Sequence, residues 1–123
     1  MEGNLNQLKI VIIGSGNVAT HLAQALSRAA HIIQIYSRTL ANANILAQKI
    51  GNSEAIDNID NIATDADVYL ISAKDDAVAS IAAQAAPRCK GNALWLHTSG
   101  SVPANVFAPH CQRYGVLYPL QTF

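Results

Sequence analysis

Gly14-Ser15-Gly16-Asn17-Val18-Ala19 stands between two stretches of different hydrophobic period, and this juxtaposition restricts the fold more than anything else in the chain. Before it, Lys9 to Ile13 (KIVII) is an apolar, β-branched run that suits a strand covered on both faces, as in a parallel sheet. After it, Val18, Leu22, Ala25, Leu26 and Ala29 recur at helical spacing and predict an amphipathic helix to about Ala30. Strand, glycine turn and helix in that order is the context in which a G-x-G-x-x-G/A pattern carries meaning. Gly14 permits the tight turn, Gly16 lets the backbone approach a pyrophosphate with no Cβ in the way, and Ala19 allows close helix–strand packing. The unpaired N–H groups and positive dipole end of the helix then face the phosphates. The pattern predicts a dinucleotide site; the alternative is a glycine turn that serves packing only.

The alternation continues. His31 to Tyr36 reads as a second strand, broken by Ser37-Arg38-Thr39, and Leu40, Ala43, Ile45, Leu46, Ala47 and Ile50 predict a second helix with Gly51 as its C-cap. A short strand is expected around Ala55-Ile56, then a turn and a short helix before Thr64. Asp67 to Ala73 (DVYLISA) is another buried-type strand, and Asp75-Asp76 supplies an acidic N-cap for an alanine-rich helix to about Ala86, stopped by Pro87. Ala93 to His97 is the next strand, Thr98-Ser99-Gly100-Ser101 its exit loop, and Pro103 opens a short helix to about Arg113. Gly115 to Tyr118 makes a final strand. Strands alternating with helices predict right-handed βαβ units, hence an α/β fold: a doubly wound parallel sheet in three αβα layers.

Composition narrows the function classes. With 123 residues, half of them hydrophobic, one domain can bury a core without disulfides or a metal. Eight basic residues balance eight acidic ones, which counts against nucleic acid or an anionic membrane surface as a partner. No apolar run approaches the roughly 18 residues of a membrane span, and MEGNLNQLKIVII has no signal-peptide pattern, so a soluble cytoplasmic protein with Cys89 and Cys111 reduced is expected. Seven of the eight acidic residues lie between Glu54 and Asp76, which reads as a solvated face near one sheet edge.

The end of the second strand decides which dinucleotide. NAD-specific sites place a carboxylate there, about 20 residues after the glycines, to bond the ribose 2′-OH. Here the position holds Ser37, followed by Arg38 and Thr39. No carboxylate repels a 2′-phosphate and the Arg38 guanidinium matches one, so NADP is the expected cofactor; the plainer reading is a surface arginine after a strand. His97-Thr98-Ser99-Gly100 leaves the edge where open α/β sheets bind ligands. His97 with Ser99 is either a catalytic pair that orients a carbonyl or imine, or a strand-end histidine bonded to backbone with Ser99 and Ser101 as turn formers. Lys74 either faces the cofactor ribose or is solvated. His110-Cys111 has no second pair at ligand spacing, so no metal is expected. Neither a G-x-S-x-G elbow nor a Walker pattern occurs.

KIVIIGSGNVATHLAQAL, IYSRT, DVYLISAKDDAV, LWLHTSGSVP and GVLYPLQTF together resemble the N-terminal NADP-binding domain of the Rossmann-like oxidoreductases grouped with pyrroline-5-carboxylate reductase and deazaflavin-coenzyme-dependent NADP oxidoreductase. More closely, they resemble a bacterial subfamily of short dehydrogenases in which a helical C-terminal domain follows. The resemblance covers Leu8 to Phe123 and implies a Rossmann-type fold. It implies that Gly14, Ser15, Gly16, Asn17 and Val18 form the pyrophosphate loop and that Ser37, Arg38 and Thr39 hold the 2′-phosphate. Ala73 and Lys74 would cover the ribose side, and His97, Thr98 and Ser99 would lie near the nicotinamide. Two departures stand out. Tyr118 replaces the histidine that relatives often have before Pro-Leu, and the helical domain that completes the substrate pocket and commonly supplies the dimer interface is absent from these 123 residues.

The expected function is therefore an NADP-dependent oxidoreductase, represented by its cofactor domain, acting on a small carbonyl or imine substrate that the sequence does not identify. Some of the apolar surface is then expected to be covered by the missing domain or by a second copy, as in a homo-oligomer. The alternative from another class is a non-catalytic NADP-sensing or protein-interaction module. A third reading, a glycine loop for another nucleotide or a methyl-donor cofactor, is disfavoured by Arg38.

Overall fold

The structure, a computed structural model, describes residues 8–117. Strands β1 (Lys9–Ile13), β2 (His31–Tyr36), β3 (Glu54–Ile56), β4 (Val68–Ile71), β5 (Leu94–His97) and β6 (Arg113–Val116) alternate with helices α1 (Asn17–Leu26), α2 (Leu40–Ile50) and α3 (Asp75–Ala85). The strands form one sheet in the order β3-β2-β1-β4-β5-β6, every pair parallel. From β1 the chain winds outward through β2 and β3, then crosses back to β4 and winds the other way. The order therefore reverses between β1 and β4, where doubly wound sheets open a crevice beyond their strand ends.

Alternation along the central strand divides the core into two layers. Ile10 and Ile12 pack with Ala19 and Ala23 of α1, Ala43 and Leu46 of α2, and Ile32 and Ile35. Val11 and Ile13 pack on the opposite face with Val78, Ala82 and Ala85 of α3 and with Tyr69, Trp95 and Phe107. Tyr69 and Trp95 stack at 4.4 Å between ring centroids, and Phe107 closes on Trp95 at 6.3 Å. Truncating a fully packed aromatic such as Trp95 costs ~3–5 kcal/mol in comparable cores. The doubly wound α/β architecture is as expected, with α1 and α2 on one face and α3 on the other.

Several boundaries move from their expected places. Helix α1 stops at Leu26 rather than near Ala30, and residues 27–29 form a turn in which the Ser27 hydroxyl bonds the Gln24 carbonyl. The helix expected from Pro103 to about Arg113 is a short 3-10 helix, Ala104–Phe107. Pro109 has no N–H to offer the Asn105 carbonyl, so an α-helix cannot propagate there, while Phe107 anchors the turn in the core. The last strand starts at Arg113 rather than Gly115, because pairing with β5 runs from Leu94↔Arg113 to His97↔Val116; Tyr118, and the YPLQTF segment with it, lies outside the described residues.

The acidic run is also not one face. Asp65 and Asp67 precede β4 and meet Lys9 and Lys90 at the opposite end of the sheet from Asp75 and Asp76, which begin α3 after β4. Asp60 pairs with Arg88 at 2.8 Å. A central strand separates carboxylates that are close in sequence.

Candidate functional site

The glycine turn is held from both sides. The Gly14 N–H donates to the Tyr36 carbonyl at 2.8 Å, which ties the loop to the end of β2, and φ at Gly14 is +138°. A Cβ on Gly14 would come within 2.1 Å of the Ser72 carbonyl oxygen, so the backbone passes against the end of β4 with no room for a side chain. At Gly16 a Cβ would meet nothing within 4 Å. The two glycines therefore do different things: one makes the turn, and the other leaves open space above the start of α1. Ala19, the third position of the pattern, is fully buried against β1.

Gly16 is also the N-cap of α1, and no side chain caps the helix or places an acid in its first turn. Its first N–H groups thus remain directed outward with the positive end of the helix dipole, an arrangement that suits an anion.

Beyond the strand ends lies an open cleft of about 620 Å³. Gly14 and Ser15 form its floor, Ser37, Arg38 and Thr39 with Asn42 one wall, and Ser72, Ala73 and Lys74 the other. The Ser15 hydroxyl donates to Ser37 Oγ at 3.0 Å, and the Thr39 N–H reaches the same oxygen at 3.3 Å. Ser37 is almost fully buried, and the two bonds occupy both of its lone pairs. Its own proton is left to donate, so this position offers a hydrogen to a phosphate oxygen, where a carboxylate would accept one from a ribose hydroxyl.

Of the residues expected at the site, Gly14, Ser15, Ser37, Arg38, Thr39, Ala73 and Lys74 line this cleft together. Asn17 lines an adjoining recess of about 210 Å³, which shares Ser15 and Asn42 with the cleft and extends to Thr20 and Lys49. Gly16 and Val18 belong to the start of α1 and line neither.

His97 lies at the end of β5 and is fully buried. Its Nδ1 accepts the Ser99 N–H at 3.1 Å, which leaves Nε2 to donate to the Pro103 carbonyl at 3.4 Å. Its ring packs against Phe107 at 5.6 Å. Of the two readings of this residue, the geometry is that of the backbone-bonded histidine, which fixes the exit loop. The Ser99 hydroxyl donates to Asp75 Oδ1 at 2.6 Å and accepts the Ser101 N–H at 3.1 Å.

A family model of the Rossmann-like domain matches residues 2–121. The chain belongs to the Rossmann-like domain family. Among solved structures, this Rossmann-like domain is similar to a candidate NADP oxidoreductase from Bacteroides fragilis, with 42% identity and a TM-score of 0.90 over 97% of this chain and 46% of that one. It also superimposes on 3-hydroxybutyryl-CoA dehydrogenase from Escherichia coli, with 16% identity and a TM-score of 0.80, covering 95% of this chain and 30% of that one. For prephenate dehydrogenase from A. aeolicus the identity is 16% and the TM-score 0.78, over 97% of this chain and 44% of that one. These last two show the fold alone. The chain spans less than half the length of each of the three proteins. No curated protein sequence matches it.

In this Rossmann-like domain, part of the cleft wall is formed by Asp76, Ala77, Ser80 and Ile81 of α3, residues that reading the sequence did not assign to the site. Their spacing, successive pairs four apart, marks one helix face, and Asn42 sits three residues after Thr39 on α2. Helical periodicity was thus the available signal, although it does not say which face turns towards the cleft. Among the described residues no group of three or more His, Cys, Asp or Glu could hold a metal ion, and no helix is long and apolar enough to cross a membrane.

Proposed function

We propose that the chain is the NADP-binding domain of an oxidoreductase that moves hydride between NADP(H) and a small carbonyl or imine compound. The observation that carries this reading is the wall at the end of β2, where Ser37 presents a proton and Arg38 a guanidinium beside the uncapped start of α1. A nicotinamide dinucleotide is also supported by the Bacteroides protein, which is named for NADP. The motifs resemble those of the group of pyrroline-5-carboxylate reductase and deazaflavin-coenzyme-dependent NADP oxidoreductase, and this likeness supports the reading.

The residues present fit such a cofactor. Open space over Gly16 and the free N–H groups of α1 suit a pyrophosphate, and Arg38 with Ser37 suits a 2′-phosphate. When bound, the nicotinamide ring accepts or delivers the hydride, and the protein supplies binding and orientation. On this reading the chain provides the cofactor half of the enzyme, and a helical domain outside it provides the substrate pocket.

Calorimetric titration with NADPH and NADH tests the proposal. NADPH is expected to bind at least roughly ten-fold more tightly, the scale of one charge-assisted contact. Arg38→Ala is expected to weaken NADPH selectively. Equal affinities, no binding of either, or an unchanged ratio in the variant would overturn it.

A second reading, a non-catalytic NADP-sensing or protein-interaction module, draws support from His97, both of whose nitrogens are committed to backbone groups. Steady NADPH-dependent turnover of a carbonyl or imine compound would exclude it.

A further inference from the structure

The exit loop of β5 is built so that one hydroxyl has lost its freedom to donate. Ser99 Oγ gives its proton to Asp75 Oδ1 at 2.6 Å and accepts the Ser101 N–H at 3.1 Å. A hydroxyl has one proton and two lone pairs, so a single lone pair remains. The Ser99 N–H is in turn held by the buried Nδ1 of His97, which sets the backbone on which that oxygen sits. Ser99 is partly exposed, and its remaining valence can only receive a hydrogen from a ligand.

Ser99 does not itself line the cleft but stands next to residues that do. Ile71 pairs with His97, so the ends of β4 and β5 lie side by side, and Thr98 Oγ1 approaches Ser72 Oγ at 3.4 Å. Ser72 lines the cleft, and the Asp75 that holds Ser99 stands between Lys74 and Asp76, which line it as well. Arg38 lies on the β2 side of the strand-order reversal and Ser99 on the β4–β5 side. A dinucleotide laid across the reversal places one nucleotide on each side. With the 2′-phosphate nucleotide at Arg38, the nicotinamide falls on the side of Ser99. That ring carries a carboxamide whose NH2 is a donor of the kind the Ser99 oxygen can take.

We infer that Ser99 is a hydrogen-bond acceptor for the nicotinamide carboxamide, and that Asp75 is the positioning residue that makes it one by holding its proton. The inference rests on the dinucleotide reading above and sharpens it. Ser99 would orient the ring through its amide, a different role from proton donation to the substrate.

The test compares NADP+ with its 3-acetylpyridine analogue, in which the carboxamide NH2 is a methyl group and the donor is gone. Affinities are measured by calorimetry on the 123-residue chain and on its Ser99→Ala and Asp75→Ala variants. The unaltered chain is expected to bind NADP+ roughly 3- to 10-fold more tightly than the analogue, the range of one hydrogen bond. Ser99→Ala is expected to bring the ratio close to one by removing the acceptor, and Asp75→Ala to lower it, because the freed hydroxyl can then turn its proton instead of a lone pair towards the ring amide. Tight binding of both ligands at equal affinity by the unaltered chain overturns this inference and leaves the dinucleotide reading standing. A ratio that survives in Ser99→Ala, with both affinities lowered alike, assigns Ser99 a structural role and overturns it as well. A ratio that survives only in Asp75→Ala overturns the role of Asp75. Binding of neither ligand overturns the dinucleotide reading, and this inference with it.

Discussion

The Ser15 hydroxyl donates a hydrogen bond of 3.0 Å to Ser37 Oγ, joining the glycine loop to the end of β2 across 22 positions of sequence. With the Thr39 N–H on the same oxygen, this bond makes Ser37 a donor towards the cleft. Ser37→Asp would keep an acceptor for Ser15 and Thr39 and add a negative charge facing the cleft. NADPH affinity is expected to fall by more than roughly ten-fold, with NADH affinity held or raised, because a carboxylate repels a 2′-phosphate and accepts from a 2′-OH. Fluorescence titration with both nucleotides measures this, and an unchanged NADPH/NADH ratio would refute the assignment of Ser37.

Gly14 and Gly16 are expected to separate folding from binding. Gly14→Ala combines a φ of +138° with a Cβ 2.1 Å from the Ser72 carbonyl oxygen, so β4 must shift. Backbone strain and overpacking together give about 3 kcal/mol or more of destabilisation. Gly16→Ala places its methyl group in open space and should leave urea stability within about 1 kcal/mol while weakening NADPH. Equal loss of stability in the two variants would contradict this division of roles.

The β1–turn–α1 unit was legible because its signals are local: a change of hydrophobic period across two glycines needs no distant partner to be recognised. Ser37 and Arg38 were legible for the same reason, at a known distance along the chain. The face that α3 turns to the cleft was not, since every turn of Asp75–Ala85 carries small apolar residues and only the strand order selects Ala77 and Ile81. The start of β6 depends on Leu94 pairing with Arg113, a contact between distant residues that short-range periodicity does not encode. His97 was ambiguous because a strand-end histidine looks the same whether its nitrogens meet a substrate or, as here, Ser99 and Pro103.

His97→Ala is expected to act on stability first. The substitution empties a fully buried site against Phe107 and leaves the Pro103 carbonyl and the Ser99 N–H without their partner. About 2–4 kcal/mol of stability should be lost, read from urea unfolding followed by the fluorescence of Trp95. Under conditions where the variant is still folded, NADPH affinity should change by less than about three-fold, below the worth of a direct hydrogen bond to the ligand. A large loss of affinity with little loss of stability would make His97 a ligand contact instead.

At the end of the sheet opposite the cleft, Asp67 makes the protein sensitive to acid. Its carboxyl sits below its ordinary value, first because it accepts the Lys9 N–H at 2.9 Å and then because it accepts Lys90 Nζ at 2.9 Å. The lowered value means that below pH ~4 the unfolded chain takes up a proton that the folded chain resists. The stability supplied by Asp67 is therefore fully present above that pH and is lost as the pH falls through the folded value. Asp67→Asn removes the charge, and its cost is modest because the group is partly exposed: about 1 kcal/mol near pH 7. The difference between the two proteins should shrink towards zero as the pH falls below that range. Urea unfolding at a series of pH values measures this, and a difference that stays constant down to pH ~2 would show that the carboxylate charge contributes nothing to the fold.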